Sequence, residues 1–138
     1  TSWIYSKYGN NFVKTMLKLG NKLESLNVIF DQVGTPTYAG DLAKAIIFIV
    51  RSNTFSRTDF KTQIYHFSNE GVCSWYDFAK TIFELTNTQC QVNPIETKDY
   101  PTPGTRPHYS VLNKSKIKQS YNLVIPYWKD SLKQCLDK

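Results

Sequence analysis

Residues 31–50, DQVGTPTYAGDLAKAIIFIV, pass from a turn into a helix and set the pattern for the whole chain. Pro36 and Thr37 are typical of the residues at which a helix begins. The apolar residues that follow recur every three or four positions, the spacing that places side chains on one helical face. We expect the buried face of this helix to consist of Leu42, Ala43, Ile46, Ile47 and Val50.

Segments typical of strands lie on both sides of this helix. Residues 26–30 precede it, and residues 63–68, QIYHFS, follow it after a polar loop at 53–61. Strands that alternate with helices are typical of an α/β sheet architecture. The sequence therefore predicts an α/β fold, and no linker or internal repeat divides the 138 residues.

The alternation extends upstream. Residues 2–5 suit a short strand. Asn10 or Asn11 can cap the next helix, because an asparagine side chain accepts from the free backbone amides of the first turn. Gly20 and Asn21 are expected to end that helix. Its apolar face is predicted to be Phe12, Val13, Met16 and Leu17.

The alternation also extends downstream. Ser74 and Asp77 have the spacing of a capping box at the start of a helix. Residues 89–95 predict a further strand, and residues 114–121 a short helix. The last helix is expected to place on one face Trp128, Leu132, Cys135 and Leu136.

Composition and charge disfavour several classes of protein. Hydrophobic residues make up 41% of the chain, enough to bury a core. No apolar run reaches the roughly 18 residues that a membrane span needs. The net charge of +6 is scattered along the sequence, so we predict neither a nucleic-acid nor a membrane partner. The densest basic cluster, Lys114, Lys116 and Lys118, is interpreted as a solvated helix face.

The cysteines and histidines do not form a recognisable site. Cys73, Cys90 and Cys135 are odd in number and widely spaced, and the two histidines stand alone. This pattern favours free, buried thiols in a reducing cytoplasm and predicts neither a disulfide framework nor a metal site.

Three polar stretches, at residues 9–11, 31–37 and 106–110, are not explained by a core. Each lies at the boundary of an element, where a rigid scaffold commonly presents binding groups. Arg106 can bind a phosphate through two parallel, charge-assisted hydrogen bonds, and Trp3 can lie against a sugar ring.

Each of these residues also has a purely structural interpretation. The two asparagines can act only as helix caps, Gln32 as a turn residue, Trp3 as core and Arg106 as part of a surface ion pair. The residues alone therefore predict an α/β domain with a candidate site for an anionic ligand.

Tyr76 and Lys80 have the Tyr-x-x-x-Lys spacing that short-chain dehydrogenases use for proton transfer. That chemistry also needs a glycine-rich turn after an upstream strand, and no Gly-x-x-Gly-x-x-Gly or Gly-x-Gly-x-x-Gly occurs in this sequence. We interpret the two residues as an ordinary pair on one helical face.

Five blocks of the chain resemble, in order and spacing, the dTDP-4-dehydrorhamnose reductases. The blocks are TSWIYS followed by GNNFVKTML, then DQVGTPTYAGDLA, YHFSNEGVCSWYDFA, YPTPGTRPHYSVLNKSKI and IPYWKDSLKQCL. The resemblance implies the C-terminal part of a Rossmann-like extended short-chain dehydrogenase fold, including the substrate-binding subdomain, with residues 1–138 as one unit. The nucleotide-binding half and the catalytic tyrosine and lysine would lie upstream, so this fragment alone is expected to be inactive.

The family reduces the C4 ketone of dTDP-4-dehydro-L-rhamnose with hydride from NADPH or NADH, so the resemblance implies a dTDP-sugar as substrate. The implied substrate-binding residues are Trp3, Asn10, Asn11, Arg106, Pro107 and Ser110. Thr1 and Ser2 would pass close to the nicotinamide, and Gln32, Pro36 and Thr37 receive no individual contact. Some members form a homodimer through a magnesium ion held by glutamates. Gly40 stands at one such position, so neither the metal nor that mode of dimerisation is carried over.

Two alternatives remain open from the sequence. Relatives of this fold include non-catalytic regulatory or nucleotide-sugar-binding subunits, and they also include nucleotide-sugar epimerases and dehydratases. The Arg-Pro-x-x-Ser pattern at residues 106–110 favours a reductase over the second group.

Overall fold

The computed structural model describes residues 1–52, 62–100, 102 and 104–137. Helices and short strands alternate along these residues, as predicted. The helices are α1 (Phe12–Gly20), α2 (Ala39–Arg51), α3 (Trp75–Thr86), α4 (Ser115–Tyr121) and α5 (Trp128–Leu136). The strands are β1 (Ile4–Tyr5), β2 (Ser25–Ile29), β3 (Val33–Gly34), β4 (Thr37–Tyr38), β5 (Cys73–Ser74) and β6 (Gln91–Ile95).

The strands pair in twos. β1 runs parallel to β4 with Ile4 opposite Thr37, and β2 runs parallel to β6 with Ser25 opposite Gln91. β3 and β5 are antiparallel, with Val33 opposite Ser74. Helix α3 lies at the centre of this arrangement and contacts α1, α5, β2 and β6. The mixture of parallel pairs and packed helices confirms the predicted α/β class.

Local capping determines where two helices begin. The Asn11 side chain accepts from Lys14 N at 3.2 Å, so it caps α1. At α3, Ser74 Oγ accepts from Asp77 N at 3.0 Å while the Asp77 carboxylate accepts from Ser74 N at 2.9 Å. Both N-terminal predictions are therefore confirmed.

The main core is built around α3. Phe78, Ala79 and Ile82 are fully buried there and pack with Leu132 of α5 and Tyr5 of β1. A smaller apolar cluster lies under α2 and α4 and consists of Ala45, Phe67, Ile117 and Ile125. All three cysteines are free and buried, as predicted.

The predicted buried face of α2 is wrong in most positions. Ile46, Ile47 and Val50 are between 51% and 53% exposed, and Ala43 is also exposed. The helix instead turns inward the face that carries Asp41, because this carboxylate accepts hydrogen bonds from the buried side chains behind it. Helix α2 is thus apolar on two sides, and only one of them is covered within the described residues.

Residues 63–68 do not form the predicted strand. A strand needs a neighbouring backbone to complete its hydrogen bonds, and the described residues supply one only at Glu70. There, Glu70 N donates to Pro126 O and Trp128 N donates to Glu70 O, each at 2.9 Å. The predicted loop at 53–61 lies outside the described residues.

The interpretation of the basic cluster is wrong for Lys114. Its side chain is 9% exposed, donates to Asn69 O at 2.9 Å and pairs with Glu70 at 3.2 Å. Lys116 and Lys118 are exposed, as expected for a solvated face. Among the described residues, no helix combines the length and apolarity needed to cross a membrane.

Candidate functional site

Trp3 is fixed where the chain enters β1. Its φ angle of 47° lies in the left-handed region, which non-glycine residues rarely adopt unless their surroundings hold them there. Its carbonyl accepts from Thr37 N at 3.1 Å, and its ring stacks on Trp75 with centroids 3.6 Å apart and planes 13° apart. The half-buried indole therefore has a defined orientation.

The segment that carries Arg106 is attached to β3 next to this tryptophan. Val33 N donates to His108 O at 2.7 Å, and Ser110 N donates to Val33 O at 2.8 Å. Pro107 lies between the attachment and Arg106 and restricts the backbone there. The arginine is exposed, but its segment has a fixed anchor.

Gly34 permits the close approach of these two parts of the site. A Cβ atom at this position would lie 2.6 Å from Ser110 Oγ and 2.7 Å from the Trp3 indole. A larger residue at this position would therefore require the Trp3 ring or the Ser110 hydroxyl to move, so a glycine suits the point where β3 passes between them.

Two adjoining cavities open around Arg106. The Trp3 cavity, of about 330 Å³, is lined by Ser2, Trp3, Gln32, Trp75, Arg106, Pro107 and Ser110. The Phe12 cavity, of about 390 Å³, is lined by Phe12, Met16, Asn27, Val28, Ile29, Gln32, Trp75, Tyr100, Thr102 and Arg106. Both share Gln32, Trp75 and Arg106, so these three residues form the boundary between them.

The structure brings five of the eight predicted site residues together in the Trp3 cavity. These are Ser2, Trp3, Arg106, Pro107 and Ser110. Thr1, Asn10 and Asn11 border neither cavity. The Asn11 amide is engaged locally, since it donates to Ser6 O at 2.7 Å, and Thr1 Oγ1 donates to Thr37 Oγ1 at 3.2 Å.

Several lining residues were not identified from the sequence. The sequence predicts Phe12 only as part of the apolar face of a helix, and it gives Trp75 no role of its own. Both lie in amphipathic patterns that predict packing, so no local signal separates their role in a cavity from a role in the core. Gln32 was named but given no contact, although it is 4% exposed and borders both cavities. Tyr76 and Lys80 border neither cavity.

The environment of Gly40 leaves little room for an acidic ligand. A Cβ at this position would lie 2.6 Å from the Tyr38 ring, so a larger side chain requires that ring to move. Among residues 1–52, 62–100, 102 and 104–137, no group of three or more histidine, cysteine or acidic side chains is arranged to hold a metal ion.

A solved structure of low sequence identity first shows the fold of the chain. A dTDP-glucose 4,6-dehydratase from Bacillus anthracis, solved with NAD, matches 97% of the chain with a TM-score of 0.71 at 12% sequence identity. Such a low identity shows a shared fold alone, over 41% of that neighbour's length.

The family is then shown by sequence. The chain belongs to the RmlD substrate binding domain family, whose model matches residues 1–138. It is 44% identical over 140 residues to a dTDP-4-dehydrorhamnose reductase of Aggregatibacter actinomycetemcomitans, covering 96% of this chain and 47% of the relative. The dTDP-4-dehydrorhamnose reductase of Sinorhizobium fredii is 40% identical over 138 residues, and the match covers 97% of this chain and 47% of that reductase.

Solved structures agree. A dTDP-4-dehydrorhamnose reductase from Bacillus anthracis in complex with NADP has a TM-score of 0.86 at 37% identity and covers 98% of this chain and 45% of its own. A dTDP-4-dehydrorhamnose reductase from Clostridium acetobutylicum has a TM-score of 0.87 at 39% sequence identity. The match covers 99% of this chain and 46% of that reductase. The chain thus spans about half the length of the relatives that it matches.

Proposed function

We propose that this chain is the substrate-binding portion of an NAD(P)H-dependent dTDP-4-dehydrorhamnose reductase. The reaction is reduction of the C4 ketone of dTDP-4-dehydro-L-rhamnose to dTDP-L-rhamnose. The observation that carries the proposal is the position of Arg106 at the boundary of two cavities with different linings. A nucleotide sugar has a matching arrangement, because its diphosphate lies between a nucleoside and a sugar, as Arg106 lies between the two cavities.

Arg106 suits the diphosphate. A guanidinium group keeps its charge at neutral pH and offers several donors to phosphate oxygens. The neighbouring Ser110 hydroxyl, which donates to Val33 O at 3.3 Å, adds a polar group on the same side.

The two cavities suit the two ends of such a ligand. The Trp3 cavity combines a fixed indole face with the Ser2 and Ser110 hydroxyls, and a sugar ring uses both kinds of contact. The Phe12 cavity combines aromatic and aliphatic walls with the Asn27 and Gln32 amides, which suits a stacked base with polar edges.

Ser2 and Thr1 are the residues of this chain proposed to face the cofactor. Ser2 Oγ donates to Thr35 O at 3.1 Å, and Thr1 Oγ1 donates to Thr37 Oγ1 at 3.2 Å. Each oxygen can still accept, so each fits the amide N–H groups of a nicotinamide. The bound cofactor would supply the hydride, and the upstream half of the protein would supply most of its contacts.

The test uses the full-length protein that contains this chain. We expect NAD(P)H oxidation that depends on dTDP-4-dehydro-L-rhamnose, and none from the 138-residue fragment. Two results would overturn the assignment. Turnover of a different nucleotide sugar only would favour an epimerase or a dehydratase, and a folded protein that turns over no nucleotide sugar would favour a non-catalytic subunit.

The role of Arg106 is tested separately in the same protein. Arg106→Ala should raise the KM for the dTDP-sugar by about 10- to 150-fold, since removing a charged donor to phosphate costs about 1.5–3 kcal/mol. Lys98→Ala is the matched control, because Lys98 is an exposed cation of the same region that pairs with Glu96 at 2.7 Å. An unchanged KM and kcat in the Arg106→Ala variant would refute the proposed phosphate contact.

A further inference from the structure

Asp31 contacts Thr97 and His108, which lie on either side of Arg106 in the chain. Its carboxylate accepts from Thr97 N at 2.9 Å and from Thr97 Oγ1 at 2.7 Å, before the segment that carries Arg106 begins. His108 Nδ1 lies 3.0 Å from the Asp31 carbonyl oxygen and 3.6 Å from its carboxylate, just after Arg106. One residue therefore contacts the chain on both sides of the arginine.

The same carboxylate also orients Gln32. Because the Thr97 hydroxyl donates its proton to Asp31, its oxygen presents a lone pair to Gln32 Nε2 at 3.1 Å. The amide nitrogen of Gln32 must then point towards Thr97, and its carbonyl oxygen points away from Thr97. Gln32 is 4% exposed and borders both cavities, so its orientation determines which polar atom a ligand meets.

We propose that Asp31 is a positioning residue for the nucleotide-sugar site, which holds the Arg106 segment in place and fixes the orientation of the Gln32 amide. This inference rests on the proposed function and adds a residue that touches no substrate itself, since Asp31 borders neither cavity.

The charge state of Asp31 is consistent with this role. The hydrogen bond from the Thr97 hydroxyl holds the pKa of Asp31 below its usual value, against a smaller opposing effect of desolvation. The carboxylate is therefore ionised at neutral pH, and an ionised acceptor makes the stronger hydrogen bonds.

The first experiment measures steady-state kinetics of the full-length protein. Asp31→Ala should raise the KM for the dTDP-sugar by about tenfold, leave kcat within about twofold, and leave the KM for NAD(P)H unchanged. Asp31→Asn keeps an acceptor for Thr97 and should show a smaller increase, which also covers the case in which the alanine variant fails to fold. Asp99→Asn removes an exposed carboxylate of the same region and is the control.

A double-mutant cycle then separates positioning from general destabilisation. If Asp31 acts partly through Arg106, Asp31→Ala should raise the KM less in the Arg106→Ala background than in the wild type. Fully additive effects of the two substitutions on the KM for the dTDP-sugar would overturn the proposal. A similar fold-change in kcat and in the KM values for both substrates would also overturn it.

Calorimetric titration with dTDP alone gives a readout that does not need the reaction. Wild-type binding with about tenfold weaker binding by Asp31→Ala supports the inference even if the ketosugar is not turned over. Wild-type binding that Asp31→Ala leaves unchanged overturns the inference while the proposed function stands. No binding by the folded wild type overturns both.

Discussion

Replacement of Asn69 tests the buried polar cluster that joins α2, β4 and α5. The Asn69 side chain is fully buried, and its amide nitrogen donates to Asp41 Oδ2 at 2.9 Å, Ser131 Oγ at 2.9 Å and Pro126 O at 3.2 Å. Its oxygen accepts from Tyr38 N at 2.8 Å. We predict that Asn69→Ala strongly lowers the free energy of unfolding.

The magnitude follows from the groups left behind. The lost bond to the Asp41 carboxylate is worth about 1.5–3 kcal/mol, and leaving the Tyr38 N–H without its acceptor costs about 1–3 kcal/mol. Ser131 offsets part of the loss, because its hydroxyl still donates to Asp41 at 2.5 Å. The expected net loss is about 3–5 kcal/mol. Asn69→Asp should lose still more, since it sets a second carboxylate against Asp41.

The assay is urea unfolding followed by tryptophan fluorescence, because Trp128 is 4% exposed and reports on the core. Asn27→Ala is the control: Asn27 is exposed and accepts one bond from Asn93 at 3.3 Å. It should change stability by no more than about 0.5 kcal/mol. A loss below about 1 kcal/mol for Asn69→Ala would refute the reasoning that the cluster is tightly coupled.

Three further predictions follow from packing and charge. Leu132→Ala should cost about 2–5 kcal/mol in urea unfolding, because Leu132 is fully buried; a loss under about 1 kcal/mol would contradict that packing. Desolvation raises the pKa of Glu70, but the hydrogen bonds and positive charges of Lys118 and Lys114 together outweigh it, so the net pKa is lowered. The stabilisation that Glu70 contributes to the folded state is therefore present above the ordinary glutamate pKa and is lost on acidification. Glu70→Gln should make the urea midpoint fall less between about pH 7 and about pH 3 than it does in the wild type. The same fall in both proteins would refute the pairing. Burial raises the pKa of all three thiols, so a thiol reagent at pH 8 should react with them far more slowly in the native protein than in urea.

Features set by neighbours in the sequence could be predicted. The Asn11 cap and the Ser74–Asp77 capping box are local hydrogen bonds, so a short stretch of sequence contains all their partners. Features set by distant contacts could not. The inward face of α2 is determined by Asp41 and its bonds to Asn69 and Ser131, which are 28 and 90 residues away in the chain.

The candidate site shows the same limit. Composition suggested only an anionic-ligand site, and the resemblance to a family was needed to connect Trp3 with Arg106. The structure places both at one cavity. The contribution of Trp75 depends on a ring contact across 72 positions, which no periodicity in α3 reveals. Assignment of substrate contacts to Asn10 and Asn11 stays a prediction.

The pairing of β2 with β6 has a consequence for how the molecule is made. The two strands enclose, in the chain, everything from the Asp31 turn to the end of α3. During synthesis β2 emerges long before its partner, and its apolar residues must wait unpaired until β6 follows. Non-local parallel pairing of this kind is slow and leaves a strand edge open to other chains. Nascent-chain binding by chaperones should therefore peak before residue 95 has emerged and decline afterwards.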